Sequence, residues 1–265
     1  MNKPRVCVLR TAGTNCDKET AFAFSSAGAE SDLVHVNALA SKHKFLDDYQ
    51  VLALPGGFSY GDDIASGKVF ANELKCKLAD SLNKFVSDGK LIIGICNGFQ
   101  ILVKSGILPG NSDFRQEVTL SLNDSAKFED RLVYLSVPDS GRRQTKCVWT
   151  KDLPEVIHLP VAHGEGKFIP WDQATLERLK ENDQIVFQYC DDKGKTSGYP
   201  DNPNGSVDNI AGICDATGRI LGLMPHPERH LDFYQSPNWT GLKKREEGDG
   251  LQVFKNGVDY VKKYL

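Results

Sequence analysis

The feature that most constrains the fold is a short apolar run ending in a cysteine that lies between two glycines. Residues 91–95 are apolar apart from Gly94, and residues 94–98, Gly-Ile-Cys-Asn-Gly, lead into further apolar positions. This order predicts a buried strand, a tight turn and the start of a helix. The bend forces the cysteine outward, and the glycines permit it because they have no Cβ. Cys96 would then lie where free helix N–H groups and the helix dipole favour a thiolate.

Two further stretches place reactive groups at the ends of predicted strands. Residues 53–58 read as a strand that ends in a glycine pair, which can aim a backbone N–H at an oxyanion. Residues 221–228 read as a strand followed by His226 and Glu228, a base and a carboxylate that can orient it. Taken alone, Cys96 is equally well explained as a buried small hydrophobe. The three stretches together favour a cysteine nucleophile.

Composition excludes several classes of protein. The chain has 265 residues with a net charge of −3 and no basic patch, which argues against nucleic-acid and membrane partners. No apolar run approaches the ~20 residues that span a bilayer. The seven cysteines form no Cys-x-x-Cys pair, which favours a reducing cytoplasm. The six histidines show no metal-ligand spacing, so no bound metal is expected.

The first part of the chain alternates strands with helices, which predicts a parallel sheet whose active site lies at the carboxyl ends of the strands. A first helix is expected at 17–27, with Phe22 and Ala23 on its inner face, and a long amphipathic helix at 69–87. The predicted strands lie at 6–9, 32–36 and 51–54, and a fourth strand lies in the apolar run that starts at Lys90 and leads into the turn at Cys96.

Beyond Pro109 the apolar runs are shorter and alternate, which indicates antiparallel strands in an added sheet or a side flap. These runs lie at 117–122, 132–137, 146–150 and 158–162. A short helix at 175–180, a strand at 184–189, a hairpin of 210–214 with 220–224 and a closing helix at 251–264 follow. The prediction is one α/β domain over residues 1–265, with a mostly parallel central sheet flanked by helices and additional antiparallel strands.

Five blocks of sequence, in order, resemble those of a known family. They are Pro-Gly-Gly-Phe-Ser-Tyr-Gly-Asp at 55–62, Cys-Asn-Gly-Phe-Gln at 96–100, Ala-His-Gly-Glu-Gly at 162–166, Asn-Pro-Asn-Gly-Ser at 202–206 and Gly-Leu-Met-Pro-His-Pro-Glu-Arg at 222–229. The resemblance is to the class I, or triad-type, glutamine amidotransferases, and more narrowly to the glutaminase subunits of phosphoribosylformylglycinamidine synthase. It covers nearly the whole chain and implies a flavodoxin-like α/β fold.

The resemblance implies a role for each residue of the candidate catalytic centre. Cys96 would be the nucleophile, His226 the general base and Glu228 the carboxylate that orients the base. The backbone N–H groups of Gly57 and Asn97 would form the oxyanion hole. Gln100 would help to hold glutamine, the implied substrate.

His163 and Glu165 match a block near the glutamine site, and for His163 a structural role at a strand end is equally open. The resemblance implies that this chain binds no cofactor. A large synthetase subunit would use ATP and magnesium to convert formylglycinamide ribonucleotide with the released ammonia, with or without a third small subunit. The chain itself has no Gly-x-x-x-x-Gly-Lys-Ser/Thr phosphate loop.

Three other interpretations stay open at this point. A cysteine-type α/β-hydrolase shares the elbow, but it places its acid between nucleophile and histidine, whereas here Glu228 follows His226. The triad also serves other amidotransferase pathways, and a pseudo-glutaminase would act only in assembly. Residues 63–65, Asp-Ile-Ala, and the long stretch 233–250 depart from the shorter family members, which leaves the stoichiometry of any complex open.

Overall fold

A computed structural model describes residues 3–110, 115–138 and 146–265 of the chain. Within these residues the strands are β1 (Arg5–Arg10), β2 (Glu30–His35), β3 (Val51–Leu54), β4 (Leu91–Ile95), β5 (Val118–Ser121), β6 (Glu129–Ser136), β7 (Val156–His163), β8 (Lys167–Pro170), β9 (Ile185–Cys190), β10 (Ile210–Cys214) and β11 (Ile220–Leu223). The helices are α1 (Asp17–Ser26), α2 (Val36–Ala40), α3 (Lys68–Lys77), α4 (Ala79–Ser87), α5 (Asn97–Ser105), α6 (Gln173–Glu181) and α7 (Leu251–Tyr264).

The large sheet has the order β2-β1-β3-β4-β11-β10-β9-β6-β7. Strands β2, β1, β3, β4 and β11 pair in parallel. The other four strands extend the same sheet in antiparallel fashion, while β5 and β8 form a small separate sheet. The predicted α/β class is confirmed, and most of the expected antiparallel strands belong to the central sheet.

The burial of each strand follows from its sequence. Every residue of β3, β4 and β11 is buried, as expected for continuous apolar runs covered on both faces. In β7, by contrast, partly exposed and buried residues alternate, so only one face of that strand is covered. The middle of the parallel half, formed by β3, β4 and β11, is therefore covered on both faces.

Among the described residues, α1 packs against α7, and α3 packs against α5. In α1 the inward positions are Ala23 and Phe24, and the Phe24 ring lies 5.0 Å from that of Phe254 in α7. The expectation for Phe22 was wrong, since 65% of its surface is exposed. The buried stripe of Thr20, Ala23 and Phe24 follows helical spacing and leaves position 22 outside.

Two predicted elements were also wrong. The long helix expected at 69–87 is divided into α3 and α4, because Leu78 has a φ of −126°. The strand expected at 146–150 is a short 3-10 turn, Val148–Thr150, which buries Trp149 and lets its Nε1 donate to the carbonyl of Arg219 at 3.0 Å. In the described part of the chain, no helix has the length and apolar character needed to cross a membrane.

Candidate active site

Three neighbouring strands bring the predicted reactive stretches together. Strands β3, β4 and β11 are adjacent and parallel, so their carboxyl ends lie at one edge of the sheet. The N–H of Cys96, just after β4, donates to the carbonyl of Leu223 in β11 at 2.8 Å. The N–H of His226 donates to the carbonyl of Pro160 in β7 at 2.8 Å. The cysteine and histidine segments are thus fixed by backbone hydrogen bonds.

Cys96 lies in a strained turn between β4 and α5. Its φ of 51° and ψ of −105° are rare for a residue with a side chain, and such strain is typical of functional turns. A Cβ on Gly98 would lie 1.8 Å from the carbonyl oxygen of Leu54, and one on Gly94 would lie 2.5 Å from Cδ1 of Leu102. Both glycines are therefore required for the close approach of α5 to the sheet. The predicted strand, turn and helix are confirmed.

His226 and Glu228 form a buried pair beside this turn. Nδ1 of His226 lies 2.7 Å from Oε1 of Glu228, and the residues are 2% and 3% exposed. Burial acts to lower the pKa of His226, but the Glu228 carboxylate and then the thiols of Cys96 and Cys16 raise it well above its ordinary value. Nε2 of His226 has no hydrogen-bond partner in the described chain, so this nitrogen is available to take a proton from Cys96.

Gly57 and Asn97 each offer a backbone N–H at the same edge of the sheet. Gly57 has a φ of 143°, and a Cβ there would lie 2.7 Å from the carbonyl oxygen of Gly13, so only glycine fits. Asn97 is the first residue of α5, where an N–H has no acceptor within the helix. Both groups can serve as oxyanion donors.

The side chain of Gln100 connects α5 to the loop after β7. Its Nε2 donates to the carbonyl of Glu165 at 2.6 Å, and its Oε1 accepts from Nδ2 of Asn97 at 2.9 Å. Oδ1 of Asn97 in turn accepts the N–H of Ser59 at 3.2 Å. Gln100 therefore holds in place the two loops that flank Cys96.

The carboxylate of Glu165 is engaged with a buried lysine that the sequence analysis missed. It accepts the N–H of Ser66 at 3.2 Å and lies 3.6 Å from Nζ of Lys104, which also donates to the carbonyl of Ser66. Burial lowers the pKa of Lys104, while the nearby Glu165 and Asp62 act to raise it. The feature that could have pointed to Lys104 is its position in α5, a helix in which every residue is buried. Buried lysines are rare unless they are paired with an opposite charge.

His163 is buried, and both of its ring nitrogens are engaged by the protein. Nδ1 lies 3.1 Å from Oδ1 of Asn123, and Nε2 lies 3.5 Å from Nδ2 of Asn204. Burial and then the nearby His226 lower the pKa of His163 to about 4, so the ring is neutral at pH 7. A Cβ on Gly166 would come within 2.4 Å of this ring. This geometry supports the structural alternative for His163, which holds the turn that carries Glu165.

Cys16 is a second thiol at the site, and the sequence analysis did not single it out. It follows β1, is 1% exposed, and its Sγ accepts from Nη2 of Arg229 at 3.1 Å. One ligand atom each of Cys16, His226 and Glu228 lie within 4.8 Å of one another. The expectation of no bound metal rested on spacing along the chain, and spacing cannot register residues 16 and 226 as neighbours.

Comparisons with known proteins extend over nearly the whole chain. The family model for the CobB/CobQ-like glutamine amidotransferase domain matches residues 3–261. The chain is 47% identical over 263 residues to phosphoribosylformylglycinamidine synthase subunit PurQ of Dehalococcoides mccartyi, covering 99% of each, and 47% identical to PurQ of Methanococcus maripaludis, covering 98% of each. A chain in the solved structure of PurLQS from Thermotoga maritima superposes with a TM-score of 0.74 at 33% identity, covering 98% of this chain and 99% of that one.

Proposed function

This chain belongs to the family of CobB/CobQ-like glutamine amidotransferase domains, and we propose that Cys96, His226 and Glu228 carry out its glutamine hydrolysis. Within that family it is a glutaminase subunit of phosphoribosylformylglycinamidine synthase, an enzyme of purine biosynthesis. The α/β-hydrolase alternative is therefore set aside. The single observation that carries the catalytic assignment is a strained cysteine beside a buried histidine–glutamate pair.

The first half-reaction transfers the γ-glutamyl group to the cysteine. His226 takes the thiol proton through Nε2, and the Cys96 sulfur attacks the side-chain carbonyl carbon of glutamine. The N–H groups of Gly57 and Asn97 stabilise the oxyanion, typically by a few kcal/mol for one such donor. Glu228 holds the proton on Nδ1 and stabilises the imidazolium. Collapse of the tetrahedral intermediate breaks the C–N bond, and His226 gives its proton to the departing ammonia.

The second half-reaction restores the enzyme. His226 removes a proton from water, and the resulting hydroxide attacks the thioester carbon through the same oxyanion geometry. The C–S bond breaks, glutamate leaves and the sulfur regains its proton. One glutamine and one water thus yield one glutamate and one ammonia, without a metal or cofactor from this chain.

Ammonia is useful only if it reaches a synthetase before it is protonated in water. We therefore propose that the chain docks onto a large synthetase subunit that uses ATP and magnesium, together with a third small subunit, in line with the PurLQS assembly of the Thermotoga maritima relative. Phe58 and Phe128 support a docking face next to the site, since both rings are about half exposed and lie 6.4 Å apart. The seven cysteines of the chain, which form no disulfide in the described structure, support a reducing cytoplasm as the compartment.

The test is glutamate release from glutamine by the purified chain, alone and with the synthetase, formylglycinamide ribonucleotide and ATP. We expect stimulation by the synthetase and loss of all turnover in Cys96→Ala. Cys76→Ala is the matched control, because Cys76 is exposed on α3. An electrophilic glutamine analogue should label the peptide that contains Cys96, as read by mass spectrometry.

The outcomes separate mechanism from context. Turnover that persists in Cys96→Ala would contradict the assigned nucleophile. Turnover that depends on Cys96 but is unaffected by the synthetase would retain the mechanism and contradict the coupling. For the docking face, Phe128→Ser should reduce stimulation, whereas Trp171→Ser, at a residue 72% exposed in the loop after β8, should not.

A further inference from the structure

The cluster of Cys16, His226 and Glu228 goes beyond what glutamine hydrolysis requires. We propose that these three side chains bind a zinc ion, and that zinc bound there inhibits the glutaminase reversibly. Their ligand atoms lie within 4.8 Å of one another, and the three residues are 1–3% exposed. Oε2 of Glu228 and Nε2 of His226 are buried without hydrogen-bond partners in the described chain, so they are free to accept a ligand.

The chemistry of the donors favours zinc over harder cations. A thiolate, an imidazole and a carboxylate are all usual zinc ligands, with metal distances of about 2.0–2.3 Å, whereas magnesium and calcium take oxygen ligands. Atoms at most 4.8 Å apart need to move inward by only about half an ångström each to reach such distances. Three protein ligands leave a fourth position for water.

The local charges balance when zinc is bound. Cys16 as thiolate and Glu228 as carboxylate together neutralise a divalent ion. Arg229 carries a positive charge nearby, and its guanidinium already lies 3.3 Å from the carboxylate of Glu19 while donating to Sγ of Cys16. Arg229 can therefore remain in place and hold the thiolate by a hydrogen bond, as groups around metal ligands commonly do.

A cavity of about 310 Å³ lies next to the cluster on the side of α1, and it is lined by Lys18, Glu19, Glu228 and Arg229, among others. Glu228 forms part of its wall, while the carboxylate itself is buried behind that wall. Neither Cys96 nor its flanking residues line this cavity, so zinc that enters from this side does not have to pass through the glutamine site.

Zinc on His226 stops the reaction whichever nitrogen it occupies. On Nε2 it directly replaces the proton that His226 takes from Cys96. On Nδ1 it displaces the hydrogen bond to Glu228 and leaves the proton of the neutral ring on Nε2, which then cannot accept another. The inhibition rests on the proposed role of His226, whereas the binding itself does not.

The first experiment measures zinc binding to a chain in which Cys96 and the exposed Cys76 are both replaced by alanine. Calorimetry should show one zinc per chain. Adding Cys16→Ser should weaken binding by at least about 100-fold, the upper range for removing even an indirect support of a metal site. Adding Cys147→Ser, at a buried cysteine before the Val148–Thr150 turn, is the matched control and should leave binding unchanged.

Unchanged binding after Cys16→Ser, or no stoichiometric binding at all, would overturn the proposal. If Cys16→Ser does not fold, cobalt(II) provides the test in the Cys76→Ala/Cys96→Ala chain. A thiolate-to-cobalt charge-transfer band supports the site, and its absence overturns it.

The second experiment tests inhibition with Cys96 intact. Zinc should inhibit glutamate release, and a chelator should restore it. Cys16→Ser, compared with its own zinc-free rate, should need at least about 100-fold more zinc for the same inhibition. Equal sensitivity would contradict the inhibitory role. Binding without inhibition would place the failure in the role proposed for His226 and not in the metal site.

Discussion

Acidification should destabilise this protein through His163, and His163→Gln should remove much of that sensitivity. The ring is 3% exposed and contacts Asn123 and Asn204 through its two nitrogens. Burial and the nearby His226 lower the pKa of His163 to about 4. In an unfolded chain a histidine titrates at about 6.5. At intermediate pH the unfolded chain therefore binds a proton that the folded chain does not.

The size of the effect follows from this difference in pKa. Because the unfolded state binds more protons between about pH 6.5 and 4, the free energy of unfolding falls as the pH falls through that window. The full loss, reached below about pH 4, is about 3.4 kcal/mol, since one pKa unit corresponds to about 1.36 kcal/mol. Between about pH 7.5 and 5.0 the loss from His163 alone is about 2 kcal/mol.

Urea unfolding at pH 7.5 and 5.0 measures this loss. Other groups also titrate between these two pH values. The informative quantity is therefore the fall in the free energy of unfolding from pH 7.5 to 5.0 in the native chain minus the same fall in His163→Gln, and we expect this difference to be about 2 kcal/mol. Glutamine keeps an amide that can hydrogen bond to the two asparagines but cannot be protonated in this range. His43→Gln is the matched control, because His43 is exposed, and it should lose as much as the native chain. An equal loss in His163→Gln would show that His163 is not the source of the acid sensitivity.

Three further predictions concern activity and packing. Gly98→Ala should reduce kcat more than about 100-fold, because its Cβ would lie 1.8 Å from the carbonyl oxygen of Leu54 and displace α5; Gly241→Ala, with no atom within 4 Å, should have no effect, and normal turnover in Gly98→Ala would contradict the argument. Glu228→Gln should lower kcat about 10²–10⁴-fold, by loss of the charge that stabilises the imidazolium, and a change below threefold would count against that role. Lys104→Met should lower the free energy of unfolding by about 1–3 kcal/mol, measured in urea, since the Ser66 carbonyl loses its donor; Lys104→Arg, which keeps a donor and the charge, should lose less, and an equal loss would contradict the contribution assigned to this donor.

Continuous apolar runs were the most reliable guide to the fold. The bounds of β3 were predicted without error, and β4 was placed in the right run, because a run buried on both faces leaves little ambiguity about strand or helix once glycines bound it. The predicted helix at 17–27 ends one residue beyond the observed end of α1 at Ser26, but Phe22 was wrongly placed on its buried face. In a short helix, the sequence alone does not show whether one apolar residue belongs to the buried stripe or lies beside it. That becomes clear only when the element that covers the helix is known, and for α1 this element is α7.

The two wrong elements failed for different reasons. The apolar spacing of 69–87 is helical throughout, and nothing in that spacing marks the break at Leu78. Residues 146–150 have the composition of a strand, but Trp149 is held by the carbonyl of Arg219 and packs against Gly257 of α7. At 146–150, contacts from distant parts of the chain outweigh local preference.

The parts of the candidate site that lie in glycine-containing motifs could be predicted from the sequence. The parts that are brought in only by the order of strands in the sheet could not. Gly56 shows the first case, since a Cβ there would lie 2.8 Å from Cε1 of His226 and 3.1 Å from Sγ of Cys16. Glycine is required at this position because the side chains of His226 and Cys16 approach the backbone there. A glycine in a motif can therefore mark a place where two parts of the chain come close together. Cys16 shows the second case. Cys16 follows β1, and it reaches His226 because β1 lies next to β3 and only β4 separates β3 from β11. No local sequence pattern encodes this order of strands in the sheet. Residues that support a catalytic group from another strand are therefore the ones that sequence analysis misses first, and their role has to be tested by substitution.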